Sequence, residues 1–166
     1  MRHIMLDLET VSSHYDAGIA SIGAVRFDPK TQQLGEELYL ILDRASMKLG
    51  HIDVDTMIWW SQQSHEVLSI LCDDNLPRIH LSEALLHFTA FYNQVPNSIV
   101  WGNGSTFDNV ILHNAYDIFN LDCPIGMKLD YCYRTVRRMF PLDEEERQGT
   151  HHNAFWMTQN IKLVIL

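Results

Sequence analysis

Asp7 and Glu9 stand two residues apart in the run Ile4-Met-Leu-Asp-Leu-Glu-Thr10, an apolar segment of strand length. A strand alternates faces with period two, so both carboxylates point the same way. Like charges side by side on a half-buried strand destabilise an ordinary sheet. They become favourable when a hard cation sits between their oxygens. A frayed strand end in solvent would also explain the pair. Two later stretches carry matching chemistry: Trp101-Gly-Asn-Gly-Ser-Thr-Phe-Asp108 and Gly149-Thr-His-His-Asn-Ala154. Asp108 would otherwise be an acid favoured near a helix N-terminus. His151 and His152 would otherwise be loop histidines.

The elements that position these residues follow from patterning. Ile4–Thr10 is a first strand and 11–18 a polar connection. Ile19–Phe27 reads as a second strand, 28–35 as a turn with Pro and Gly punctuation, and Glu37–Leu42 as a third strand. Short loops between them make an antiparallel meander. Asp53 to Gln63 reads as a short helix with acidic caps, with Trp59 and Trp60 as core or groove wall. A second helical stretch covers Ser64 to Leu71. Leu81–Tyr92 is amphipathic, apolar at Leu81, Leu85, Phe88 and Tyr92.

Ser98–Trp101 reads as a short buried strand broken by Gly102-Asn-Gly. Ser105 or Thr106 is expected to cap a helix over Phe107–Phe119. Asp108 then lies in the first turn of a helix at a strand's C-terminal end, where ligands bind in open α/β sheets. Met127–Leu129 is expected as a further strand, and Asp130 as the cap of a helix over Tyr131–Met139. The run Asp143–Arg147 is a solvated charge cluster. Three strands, a helical stretch, then alternating strand and helix indicate an α/β domain with a mixed sheet.

The chain has 166 residues, 46% hydrophobic and 20% charged, which fits one folded domain with a real core. No apolar run approaches a membrane span, and Asp7 interrupts the place where a signal peptide needs its apolar core. A cytoplasmic location is expected. The three cysteines, Cys72, Cys123 and Cys132, lack zinc spacing and read as reduced, mostly buried thiols. A net charge of −9 argues against coating duplexes through phosphate neutralisation. An enzyme that grips a strand end at a metal site can be acidic overall, because bound cations reverse the local field.

Asp7-x-Glu9, Phe107-Asp108 and the late His segment, in this order, resemble the DEDDh branch of 3′–5′ exonucleases, within it the phage-type enzymes. Leu6-Asp-Leu-Glu-Thr10, Ser21-Ile-Gly-Ala-Val25, Trp59-Trp60 and Trp101–Asn109 carry the same likeness. The resemblance implies a ribonuclease-H-like fold: a mixed sheet, with an antiparallel three-strand meander plus parallel strands, flanked by helices. It implies hydrolysis of phosphodiester bonds at single-stranded DNA or RNA 3′ ends by two divalent cations, Mg²⁺ or Mn²⁺. Such pairs lie about 3.5–4 Å apart and supply the nucleophile, leaving-group stabilisation and charge neutralisation. By resemblance Asp7 bridges both ions, Glu9 binds the one that activates water, and Asp108 binds the other. His152 is the general base, a task suited to its near-neutral pKa. Thr10 and Asn103 are expected against substrate, Asp130 reads as a cap rather than a ligand, and a homodimer is expected by analogy. Without a cation the clustered acids should repel, and at least one should have a raised pKa.

The family pattern has a fourth acid five residues after the histidine. This chain has Met157 there, or Trp156 if counted from His151, and no acid follows Glu146. Phe155-Trp-Met-Thr158 is encoded TTY-TGG-ATG-ACN. Read two bases on, this becomes YTG-GAT-GAC, Leu-Asp-Asp whatever the ambiguous bases, and the next codon permits Ala. That is the family ending, so residues 155–166 read as a frameshifted, apolar tail on an exonuclease domain spanning 1–154. The tail is an association hazard, or it packs into the vacated groove. The expected function is a metal-dependent 3′–5′ exonuclease impaired by loss of the fourth acid. The alternative is an inactive remnant that binds nucleic acid or a protein partner.

Overall fold

A computed structural model describes residues 1–140. His152, Met157 and the tail from 155 lie outside the described residues. β1 (His3–Thr10), β2 (Ile19–Asp28) and β3 (Gln33–Leu42) form the expected meander. β3 starts earlier than the punctuation predicts, because Gln33 and Leu34 already pair with Asp28 and Phe27 across the turn. α1 (Arg44–Met47), α2 (Val54–Ser61), α3 (His65–Cys72) and the two-residue strand β4 (Arg78–Ile79) follow. α4 (Leu81–Asn93), β5 (Ile99–Gly102), α5 (Asp108–Ile118), β6 (Asp130–Cys132) and α6 (Tyr133–Met139) complete the described chain. The sheet order is β4-β3-β2-β1-β5-β6, with β4, β5 and β6 parallel to their neighbours. This is the mixed sheet flanked by helices that the resemblance implies.

β1 lies inside the sheet and presents two different faces. Ile4, Leu6 and Leu8 point to one, joined by Ile22 and Ala24 of β2 and covered by α4 and α5. Leu81, Leu85, Phe88 and Tyr92 of α4 are all buried there, as their spacing predicts. Removing such side chains from water contributes roughly 1.5–3 kcal/mol each. The other face carries Met5, Asp7 and Glu9. Its apolar contacts fall into two smaller groups. Met5, Val25, Phe27 and Tyr133 pack at one end. Ile41, Trp60, Val67, Ile70 and Leu71 pack at the other.

Arg26 is a buried cation with a structural task. It donates to the carbonyls of Phe91 and Tyr92 at the end of α4, and to Ser98 Oγ. Lysine could not reach all of these with one ammonium.

Four expectations are corrected. Met127–Leu129 is a 3-10 turn, and the strand lies at Asp130–Cys132, in register with Val100–Gly102. Asp130 therefore caps no helix: its carboxylate accepts from Asn109 Nδ2 (3.1 Å) and bonds His113 Nε2 (3.0 Å). Ser105 and Thr106 do not cap α5. The cap position falls on Phe107, which makes no side-chain cap bond, because Asp108 itself folds the preceding loop back. The cysteines are free but not mostly buried: Cys72, at the end of α3, is exposed, and Cys123 and Cys132 are half-buried. No helix among the described residues is long and apolar enough to cross a membrane.

Candidate active site

Asp7 and Glu9 share the face of β1 away from the main core, opposite Gly23 and Ser21 of β2. Asp7 is 7% exposed and its Oδ2 has no hydrogen-bond partner. A buried carboxylate oxygen without a donor costs on the order of 1–3 kcal/mol or more, so its retention asks for a reason. Gly23 adds no side chain above Asp7. Tyr39 is next in register, on β3. Burial raises the Tyr39 hydroxyl, and the charges of Glu9 and Asp7 act the same way.

Asp108 is brought to the same place from another element. β5 pairs with β1 only as far as Met5–Trp101. Beyond that point Asp108 continues the ladder with its side chain. Its Oδ1 accepts from the Leu8 amide (3.1 Å) and its Oδ2 from the Asn103 amide (2.8 Å). The first bond seats α5 on the strand that carries Asp7 and Glu9, and the second shapes the loop 103–107. Gly102 makes room for this. A β-carbon there would lie 2.7 Å from Asn109 Oδ1 and 3.2 Å from Asp108 Oδ2. Gly102 and Tyr39 are the site residues that motif reading missed. The period-two pattern of strand three could have pointed to Tyr39, whereas Gly102 reads only as a strand breaker.

The electrostatics are those of buried acids crowded together. Burial raises Asp7 well above the usual carboxylate range, with Asp108 and Glu9 adding repulsion. Glu9 is pushed up to about 7 by burial and then by Asp108. Asp108 is also raised by burial, against the pull of its two amide donors. The expectation of raised acids is met by all three.

The predicted residues do not all converge equally. Asp7, Glu9 and Asp108 are close enough to feel one another's charge. Even so, no three His, Cys, Asp or Glu side chains among the described residues are arranged to hold an ion. Asn103 contributes its backbone amide to Asp108, and its side chain is half-buried. Thr10 is buried, with its hydroxyl donating to the Ser12 carbonyl (2.6 Å) and its own carbonyl accepting from Trp60 Nε1 (2.9 Å). Trp60 is thus core, and Trp59 meets it edge-on. The donor set suits a hard cation: it is all oxygen, and Asp7 Oδ2 is unpaired.

Comparison with known proteins adds a family. The chain matches the Rv2179c-like family, described as the 3'-5' exoribonuclease Rv2179c-like domain, over residues 2–161. The nuclease domain of 3'hExo, a DEDDh family member bound to rAMP, superimposes with a TM-score of 0.65 at 8% identity, covering 97% of this chain and 88% of that one. An ExoI/SSB-Ct complex gives a TM-score of 0.65 at 13% identity, covering 98% of this chain and 40% of that one. Exonuclease I from Methylocaldum szegediense gives 0.56 at 12% identity, over 89% and 32%. At such identities the likeness is one of fold. The chain spans only 28–40% of the length of the exonuclease I chains it matches. No curated protein matches it.

Proposed function

As the chain belongs to the Rv2179c-like family of 3'-5' exoribonuclease domains, we propose that it removes nucleotides from single-stranded 3′ ends, of RNA before DNA. The observation that carries this is the pair Asp7 and Glu9 on one face of β1 with Asp108 held at the edge of the same strand by the Leu8 amide, all three raised by burial and the first two also by the charge of Asp108. Acids kept in that state cost stability, which argues for a chemical task.

Asp7, Glu9 and Asp108 would hold the divalent cations, Mg²⁺ or Mn²⁺, which when bound neutralise phosphoryl charge and activate water. The chain's own part is to fix and exclude. The Leu8 and Asn103 amides orient the Asp108 carboxylate, and the sheet and Tyr39 limit water around Asp7. Asn103 and the Thr10 backbone would set the 3′ nucleotide. His152, outside the described residues, would accept the proton of the attacking water.

Slow turnover is part of the proposal, because Met157 stands five residues after His152, where the resemblance implies an acid. Replacing Phe155→Leu, Trp156→Asp, Met157→Asp and Thr158→Ala together should raise the rate on the order of 10²-fold, the scale at which 1 Å misplacement acts. The repaired chain should also tolerate Mg²⁺, which demands near-ideal octahedral geometry. A homodimer belongs to the same reading.

A second reading has its own support: both Asp108 oxygens are taken by amides, and no three-ligand cluster stands among the described residues. In that case the chain binds nucleic acid or a protein without cutting. Matched 5′-labelled RNA and DNA oligonucleotides with Mg²⁺ or Mn²⁺ separate the two. Trimming from the 3′ end supports the enzyme, with RNA cut faster. Binding without trimming, in the repaired chain too, supports the remnant.

A further inference from the structure

A basic helix starts beside the acid site. Three of the seven residues of α6, Arg134, Arg137 and Arg138, are arginines, and none is acidic. They stand at i, i+3 and i+4 and so share one side of the helix. Tyr133 is the buried residue that anchors α6, while all three arginines are exposed. The acid nearest Arg134 in sequence, Asp130, is already engaged by His113 and Asn109, and the one nearest Arg137 and Arg138, Asp143, lies outside the described residues. Within the described residues the three arginines form no ion pair.

Arg134 has a definite place. Its guanidinium lies over the loop between β5 and α5: a β-carbon on Gly104 would be 3.9 Å from Arg134 Cζ and Nη2. That loop is the one Asp108 shapes through the Asn103 amide. Arg134's charge reaches Asp108, acting with the amides against its burial. In a chain of net charge −9, a polyanion approaching three carboxylates is repelled unless a local cation meets it.

We infer that Arg134 binds a backbone phosphate of the incoming strand at the edge of the acid site, with Arg137 and Arg138 extending the contact away from it. The inference rests on the nuclease reading and names the part of the substrate that this surface grips. The guanidinium fork suits a phosphate bidentately, and Gly104 leaves it uncovered on that side. Phosphate contact carries no sequence preference, so this end of the site should accept any base.

The test is binding rather than turnover. A short 5′-labelled single-stranded oligonucleotide with a phosphorothioate 3′ linkage is titrated by fluorescence anisotropy, with Mn²⁺, over a range of salt. Arg134→Ala should weaken binding on the order of 10-fold and lower the slope of log K against log salt by about 0.7, one phosphate contact on a single strand. Arg134→Lys should keep the slope and recover part of the affinity. Arg137→Ala and Arg138→Ala should each lose less. Equal affinity and slope for Arg134→Ala, or a slope lost as fully by Arg134→Lys, overturns the inference alone. Absence of any binding by the unaltered chain overturns the nuclease reading and this inference with it.

Discussion

The two faces of β1 do opposite work. On one, Ile4, Leu6 and Leu8 are sealed under α4 and α5 in a continuous apolar cluster. On the other, two positions in the same alternation hold Asp7 and Glu9, and the apolar packing is split into two smaller groups on either side. A single strand thus supplies the rigid support and, on the proposed function, the chemistry. The second face gives up apolar packing for two buried acids, whose geometry the first face fixes. Alternation makes this arrangement compact: each acid is one residue from a fully packed leucine.

The largest effect should come from the reactive face. Asp7→Asn should lower 3′ trimming by at least about 10²-fold, since it removes the charge both neighbours are arranged around. Its thermal midpoint in metal-free buffer should stay equal or rise. A large fall in stability would break the comparison, because Asp7 would then belong to the support. Leu6→Ala is the mirror experiment. Leu6 is fully buried, and truncation of such a residue costs about 2–5 kcal/mol. Chemical denaturation should show that loss, and residual activity per folded molecule should be nearly unchanged.

Gly102→Ala tests the joint between the faces. The added methyl meets Asn109 and Asp108, and overpacking of this kind costs about 1–3 kcal/mol. Asp108 must shift, so Mn²⁺ affinity should fall along with stability. A change in stability alone would show that Asp108 does not touch the cation.

The smallest effect is on pH. Glu9 is pushed up to about 7, and Asp7 is raised too. The folded chain therefore holds protons that the unfolded chain releases from about pH 4.5 upward. Stability from these groups is present at low pH and is lost as pH rises through about 7. Metal-free melting should drop a few degrees between pH 5 and pH 8, at roughly 2–4 °C per kcal/mol for a chain of this size. Glu9→Gln should flatten the curve through about 7, and Mn²⁺ should stabilise the unaltered chain more at pH 8 than at pH 5. A flat profile in the unaltered chain would mean that burial and mutual repulsion do not raise these acids.

Legibility in the sequence followed the range of the forces involved. The meander and α4 were readable because hydrophobic period alone specifies them. Asp7 and Glu9 were readable because period two places them on one face. Asp130 was misread as a cap because its strand is three residues long and exists through pairing with Val100–Gly102, which no local pattern announces. β4, two residues beside Leu42, was invisible for the same reason. The helix-start rules pointed to Ser105 and Thr106. What prevailed was a long-range bond, from the Leu8 amide to Asp108 a hundred residues on. The motif located Asp108, but only the fold shows that its carboxylate also completes the edge of β1.

The central claim is that the acids of the second face are kept to hold a cation. Mn²⁺ titration by calorimetry, on the unaltered chain and on Asp7→Asn near pH 8, tests it most directly. The account predicts saturable binding to the unaltered chain with release of protons, and at least a 10-fold weaker response in Asp7→Asn, about 1.4 kcal/mol. Equal binding by both chains, or none by the unaltered one, would contradict it.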